Sequence, residues 1–343
     1  MKIVVDLRSL SGSPWSGVPM YTREIVSALT ATHPQQEWMG YTSGRSAGSV
    51  SMGSIGQYWH GPFSNTLSTL LWNLPGSRLR NPPPANVFFL PNWNILPSRL
   101  PCPLVVTVHD CSAQRLTFDG GAKRRAWHNA IRIPRLMHQA HALICVSEST
   151  AQEVRTFFPG EQKKIHVIPL APPSRRAHEC SSICQQWNQE KKPIVVVLSD
   201  THRRKNIDAA LTALARVHAP HTLVVVGSPA VGSLEPVQFD ALLSHAALLV
   251  YPSLYEGYGF PPQEAIARGI PVVAGSSPAV AEVSGERCLL VNPLDVAQME
   301  RVIEDVLCTG AQAKINTSTA SQRTWGQVAQ ETFAVLEKAA RNG

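Results

Sequence analysis

No apolar run in the 343-residue chain approaches the roughly 18–20 residues that a membrane-spanning helix needs. Its opening stretch, Lys2 to Arg8, carries Asp6 and Arg8 among apolar residues, which breaks the continuous apolar core of a secretory leader. Cysteine is sparse and unpaired: seven residues are scattered along the chain, an odd number that predicts free thiols in a reducing cytosol. Cys180 and Cys184, with His178 nearby, form one loose pair without a second, too little for a zinc site. No internal repeat and no low-complexity tract is present beyond the Ser/Gly-rich stretch at 42–56. No Gly-x-Gly-x-x-Gly follows either of the two β-rich openings described below, which excludes a dinucleotide-dependent oxidoreductase. With 44% hydrophobic and only 16% charged residues, the chain buries large cores and is not disordered.

The length suits two domains, and the pattern divides accordingly. Two short β-branched strands, at Lys2–Leu7 and Pro193–Leu198, each lead through a polar loop into an amphipathic helix, at Tyr21–Leu29 and Asn206–Val217. Further continuous apolar strands follow in each half: Val87–Leu90, Leu104–His109 and Ala142–Val146, then Thr222–Val226, Leu248–Tyr251 and Pro271–Ala274. Unbroken apolar strands alternating with helices predict parallel sheets covered on both faces, hence two doubly wound α/β units in series. The expected organisation is a Rossmann-like first domain over 1–170 and a Pro-rich polar linker over 171–192. A second Rossmann-like domain over 193–322 and an amphipathic terminal helix within 323–343 complete it. Charge divides unevenly: up to Pro172 there are 16 basic against 8 acidic residues (+8), and beyond it 15 against 16 (−1), together the net +7. Only the first half therefore predicts an anionic surface partner.

The segment richest in chemistry runs from Tyr251 to Val273, through Glu256-Gly-Tyr-Gly-Phe-Pro-Pro-Gln-Glu264. It reads as strand, glycine loop, helix opening near Pro261, and strand. Prolines suit the first helical turn, where a missing N–H costs nothing. Gly257 and Gly259 let a ligand approach the backbone, and amides at a helix start make an anion site. Two carboxylates flanking such a nest suit a ligand with hydroxyls at both ends and phosphate between, as in a nucleotide sugar.

This Glu-x7-Glu spacing, its glycines and the following Arg268-Gly269-Ile270-Pro271-Val272-Val273 resemble the family 4 retaining glycosyltransferases. The resemblance implies a GT-B fold, with two Rossmann-like domains facing a central cleft and a C-terminal helix crossing back to the first. It implies that Glu256 contacts the donor sugar and Glu264 the ribose, while the amides of Gly257, Tyr258, Gly259 and Phe260 meet sugar and diphosphate. Arg204-Lys205-Asn206 resembles the element whose cations hold the diphosphate, and Gly17-Val18 the first glycine loop above the donor. His109, in the strand-end His109-Asp110, resembles a position at the donor sugar; a satisfied core histidine is the other reading. Ser147 reads first as a helix N-cap. No Asp-x-Asp occurs, so no metal clamp and no cofactor are expected, and Arg204 and Lys205 must neutralise the phosphates. His109, Arg204, Lys205 and Glu256 are thus the catalytic candidates.

The likeness to bacterial mannosyl- and rhamnosyltransferases of surface-polysaccharide assembly, including lipopolysaccharide, makes GDP-mannose the first donor, with a glycan or lipid-linked acceptor. Two departures stand out. Ser199-Asp200 replaces the family's Gly-Thr, and only 46 residues separate Asn206 from Ser253, fewer than in relatives. The alternative is an inactive homologue acting as a binding subunit, which retention of Glu256, Glu264, Arg204 and Lys205 opposes. Finally, Lys123, Arg124, Arg125, Arg132 and Arg135 interleave with Trp127, Ile131, Ile133, Leu136 and Met137. This basic amphipathic stretch reads equally as a core helix or as a surface for anionic lipid, making the protein peripheral on the inner membrane face. No nucleic-acid-binding module accompanies it.

Overall fold

A computed structural model describes residues 1–11, 17–43, 52–53, 55–61, 83–94, 96, 100–115, 131–173, 192–199, 202–309 and 323–343. They form two compact units: 1–171 together with 323–343, and 172–322.

The first unit is built on a seven-stranded parallel sheet of order β3-β2-β1-β4-β5-β6-β7. Its strands are β1 (Lys2–Asp6), β2 (Glu37–Ser43), β3 (Gln57–Gly61), β4 (Val87–Leu90), β5 (Leu104–Val108), β6 (Ala142–Cys145) and β7 (Ile165–Val167). β1, β4, β5 and β6 are buried almost throughout, as strands covered on both faces must be. Helix α1 (Gly17–Thr32) starts four residues earlier than its apolar periodicity suggests, so Gly17 and Val18 lie in its first turn. Helices α2 (Ile133–Gln139) and α3 (Glu148–Phe157) follow β5 and β6. Ser147 caps α3 by accepting a hydrogen bond from the Thr150 amide. Where β1 ends, the carboxylate of Asp6 accepts two bonds from Arg8 Nε at 3.0 and 2.9 Å, and Arg8 lies over the Tyr41 ring. The charges that interrupt the opening apolar run are therefore a buried ion pair.

The second unit has a five-stranded parallel sheet of order β12-β11-β10-β8-β9. The strands are β8 (Ile194–Leu198), β9 (Thr222–Val226), β10 (Ala246–Tyr251), β11 (Val272–Gly275) and β12 (Leu289–Val291). Among the described residues this is the doubly wound order in which a single strand, β9, lies outside β8. The short span from Asn206 to Ser253 holds only a helix at Ile207–Leu214, β9, a helix at Pro236–His245 and β10. Alternation along the strands divides the core. Ile194, Val196, Leu249 and Tyr251 face helices α5 (Pro236–His245), α6 (Phe260–Ala267) and α7 (Pro278–Ser284). Val195, Val197, Leu248 and Val250 pack instead on α4 (Ile207–Leu214) and α8 (Val296–Thr309).

The last helix, α9 (Trp325–Asn342), belongs to the first unit. Thr324 and Gln327 close a capping box, and Trp325, Val328, Ala329, Thr332, Val335, Leu336 and Ala339 form its buried stripe. Trp325 meets Tyr21 of α1 with ring centroids 6.0 Å apart, and Phe333 stacks on His33 at 3.8 Å.

Candidate donor site

In open parallel sheets, ligands bind beyond the carboxyl ends of strands where the winding direction reverses. In the second unit that point lies between β8 and β10, and the loops leaving these two strands carry Arg204, Lys205 and Glu256. A 3-10 turn, Arg203–Lys205, ends at Asn206, whose positive φ of 53° reverses the chain into α4. The Asn206 side-chain Nδ2 donates to the Pro293 and Pro252 carbonyls at 2.6 and 3.3 Å. The Leu254 amide donates to the Arg204 carbonyl at 2.7 Å, so the two loops are stitched by backbone as well as side chain.

The side chains converge on Glu256. Lys205 Nζ donates to its Oε1 at 2.6 Å, the Tyr251 hydroxyl donates to the same oxygen at 2.7 Å, and Arg204 Nη1 donates to Oε2 at 3.0 Å. The ammonium also donates to the Tyr251 hydroxyl at 2.8 Å, and Arg204 Nη1 to the Tyr255 carbonyl at 3.0 Å. Burial alone would raise the Glu256 pKa; Lys205 and Arg204, with the Lys205 and Tyr251 hydrogen bonds, outweigh it and hold the carboxyl at about 2. Burial opposes the charge on Lys205 too, yet Tyr251 and then Glu256 outweigh it and keep the ammonium protonated well past its ordinary range. Two cations and one carboxylate leave a surplus positive charge in a site whose side chains are only 9–17% exposed. A carboxylate offers about four lone-pair directions. Three are taken, and one on Oε2 remains for a hydroxyl donor.

Following Glu256, Gly259 adopts φ 94° as the N-cap of α6, a conformation suited to glycine. A side chain there would also meet Val280 Cγ2 at 3.1 Å. The rings of Tyr258 and Phe260 are buried, with centroids 5.3 Å apart. Glu264 lies one turn inside α6 and is largely buried. The structure thus gathers Arg204, Lys205 and Glu256 into one cluster, with Gly257 to Phe260 leading from it into the helix that carries Glu264.

His109, Gly17 and Val18 belong to the other unit. At the end of β5, His109 Nε2 bonds the Pro91 carbonyl at 2.7 Å, and the ring stands edge-on to Tyr21 at 4.7 Å. A carbonyl cannot donate, so Nε2 carries the proton and Nδ1 is an acceptor, which meets no partner among the described residues. Burial pulls the imidazole pKa below 6.5 and prevails over the Pro91 carbonyl and Asp110, so the neutral form dominates. Tyr21 and Thr107 complete this corner through a buried hydroxyl pair at 3.0 Å.

Two features escape a reading of the sequence, and a third is one that the sequence leaves open between two readings. Tyr251 joins the cluster by bonding Glu256, five positions further along the chain, a reach no periodicity encodes. Arg268, seen only as part of a motif, pairs with Asp240 of α5 and donates to the Glu264 carbonyl at 2.6 Å. The basic stretch is the third. Lys123, Arg124, Arg125 and Trp127 lie outside the described residues. Of the rest, Ile131, Ile133, Leu136 and Met137 are packed in the core, which removes them as a lipid-inserting face. Arg132 and Arg135 are exposed.

Two family models match the chain, one for each unit. Glycosyltransferase Family 4 matches residues 81–171, and Glycosyl transferases group 1 matches residues 192–309. The chain belongs to the family 4 glycosyltransferases. Among its relatives, this glycosyltransferase is 26% identical to the MMP alpha-(1->4)-mannosyltransferase of Mycolicibacterium hassiacum, over 69% of the chain and 66% of that protein. It is 24% identical to O-antigen chain mannosyltransferase B of Escherichia coli, over 72% of the chain and 73% of that protein. Among solved structures, sucrose-phosphate synthase from Thermosynechococcus elongatus aligns with a TM-score of 0.69 at 16% identity, covering 100% of this chain and 97% of the other. That likeness establishes the GT-B fold. Among the described residues no helix is long and apolar enough to cross a membrane.

Proposed function

We propose that the protein is a retaining, metal-independent glycosyltransferase that moves a mannosyl group from GDP-mannose to a glycan or lipid-linked glycan acceptor in surface-polysaccharide assembly. The observation that carries this reading is the Arg204–Glu256–Lys205 cluster at the switch point of the second sheet, beside the Gly259-capped start of α6. Mannosyl transfer is supported by the relatives, two of which are named for it.

The roles proposed for the residues rest on this cluster together with the motif resemblance. Arg204 and Lys205 face the donor diphosphate and stabilise the charge that grows on it as the bond from the sugar C1 breaks. An acceptor hydroxyl attacks C1 from the same face, and its proton passes to a departing phosphate oxygen. No protein carboxylate needs to become covalently attached. Glu256 holds both cations in place and uses its remaining Oε2 lone pair for a sugar hydroxyl. Amides from Gly257 to Phe260 bind sugar and phosphate oxygens, and Glu264 binds the ribose; donor roles for His109, Gly17 and Val18 are carried by the motif resemblance alone. Metal independence rests on the sequence, where two basic side chains replace an Asp-x-Asp. The exposed Arg132 and Arg135, with Lys123, Arg124 and Arg125, supply attraction to anionic lipid.

A thermal-shift series with GDP-, UDP-, dTDP- and ADP-sugars tests the donor, because a ligand that binds only folded protein raises its melting temperature. GDP-mannose is expected to give the largest shift, and transfer is expected to persist in EDTA. A larger shift with another base would replace the donor. Loss of turnover in EDTA, restored by Mg²⁺ or Mn²⁺, would overturn the metal-free mechanism.

A further inference from the structure

We infer that Tyr251 is a positioning residue for the transfer step, its hydroxyl setting where the Lys205 ammonium meets the donor diphosphate. The inference rests on reading the cluster as the donor site, and the observation behind it is a closed triangle of hydrogen bonds. Lys205 Nζ donates to the Tyr251 hydroxyl at 2.8 Å, that hydroxyl donates to Glu256 Oε1 at 2.7 Å, and Nζ donates to the same Oε1 at 2.6 Å. The phenol therefore uses both its donor and an acceptor function, and neither is spent on solvent or backbone.

The ring is an anchor. Tyr251 is the last residue of β10, hydrogen-bonded between β8 and β11, and its side chain is packed in the core with Val196, Leu249 and Ala274. Moving the hydroxyl means opening that core. Lys205, by contrast, ends a flexible four-carbon stem, and an ammonium is a point charge without a preferred fork geometry. An incoming diphosphate competes with Glu256 for it. With one N–H on the tyrosine oxygen, one on Glu256 and the charge 4.9 Å from the Tyr251 ring centre, the ammonium has one N–H left and a fixed direction for it. A donor fixed before the charge develops costs no reorganisation during the reaction. The phenol stays protonated up to about 12, raised first by burial and then by Glu256, so this brace does not change across the working pH range.

Around Glu256 the charged and titratable partners are Lys205, Arg204 and Tyr251, from the loop after β8 and the end of β10. Tyr251→Phe keeps the ring while deleting one oxygen. Two readouts separate positioning from packing. First, without substrate, carbon-13 NMR of the Glu256 carboxyl, assigned by its loss in Glu256→Gln, is expected to titrate about half a pH unit or more higher in Tyr251→Phe. Second, with the nucleotide sugar chosen by thermal shift, kcat is expected to fall about tenfold while the donor KM stays within about twofold, the pattern of an interaction used in the transition state. A melting curve within a few degrees of wild type verifies the fold.

An unchanged carboxyl titration together with unchanged kcat, beside normal wild-type turnover, overturns the role of Tyr251 alone. A raised KM with intact kcat makes it a ground-state binding group and equally overturns positioning. If no nucleotide sugar shifts or is turned over by wild-type protein, the donor-site reading fails and the role in transfer fails with it.

Discussion

Glu264 and Glu256 are eight residues apart in the chain and face different tasks. Glu264, on α6, is the proposed ribose partner, so Glu264→Ala is expected to weaken nucleotide binding about tenfold, the worth of a charge-assisted hydrogen bond. The melting temperature should stay within a few degrees, and unchanged affinity by calorimetry would remove the assignment. Glu256 also carries stability. Its pKa is about 2 in the folded protein against 4.5 ordinarily. The folded state thus favours the ionised form, by about 3 kcal/mol at 1.4 kcal/mol per pH unit. That contribution is complete above pH 4.5 and is lost as pH falls toward 2. Denaturant unfolding of wild type and Glu256→Gln along a pH series should show their difference shrinking through that window. A constant difference would mean that the carboxylate is not held by its cations. Both glutamates are legible in the sequence, because their spacing and glycines form a motif. The hydroxyl of Tyr251 and the pairing of Arg268 with Asp240 are not, because both depend on loops that meet only after folding.

At the scale of elements, the site depends on how closely two strand ends approach. A Cβ on Gly275, at the end of β11, would lie 2.4 Å from the Ser253 carbonyl oxygen and 3.2 Å from Pro293 Cβ. The obstacle is backbone, so it cannot rotate away. Gly275→Ala is expected to cost about 2–3 kcal/mol, the price of overpacking a closed contact, read as a lower urea midpoint. Because Ser253 leads into Glu256, nucleotide affinity should fall as well; wild-type stability and affinity in this variant would show that the loops separate freely. The strands and most helices are legible in the sequence, since apolar runs and 3.6-residue periodicity are local signals. The start of α1 is not. Gly17 and Val18 look like loop residues, yet Pro19 and Tyr21 are buried and draw the first turn into the helix.

For the whole molecule, chain order and spatial order differ at one point: the last helix completes the first unit. Burying Trp325, Val328, Val335 and Leu336 is worth about 1.5–3 kcal/mol each. The sum is comparable to the entire 5–15 kcal/mol stability of an ordinary domain. A chain ending at Gln322 is therefore expected to lose the native packing of the first unit. Near-UV circular dichroism should fade and a hydrophobic dye should bind; a cooperative, wild-type-like melt of that unit would show α9 to be dispensable.

Composition and periodicity by themselves determine that this chain makes two parallel α/β units. Local burial, strand alternation and helical stripes are written within a few residues of one another. Motif spacing likewise determines where Arg204, Lys205 and the two glutamates fall. Tertiary structure alone decides that β8 and β10 are neighbours, and hence that Arg204, Lys205, Tyr251 and Glu256 share hydrogen bonds across some fifty residues of chain. It alone decides that the apolar side of 131–137 is core rather than lipid-facing. The physical reason is the same in both cases. A side chain's type states what it can bind, but its partner is chosen by which strand ends and which faces the fold brings within about 3 Å for hydrogen bonds and 4 Å for packing.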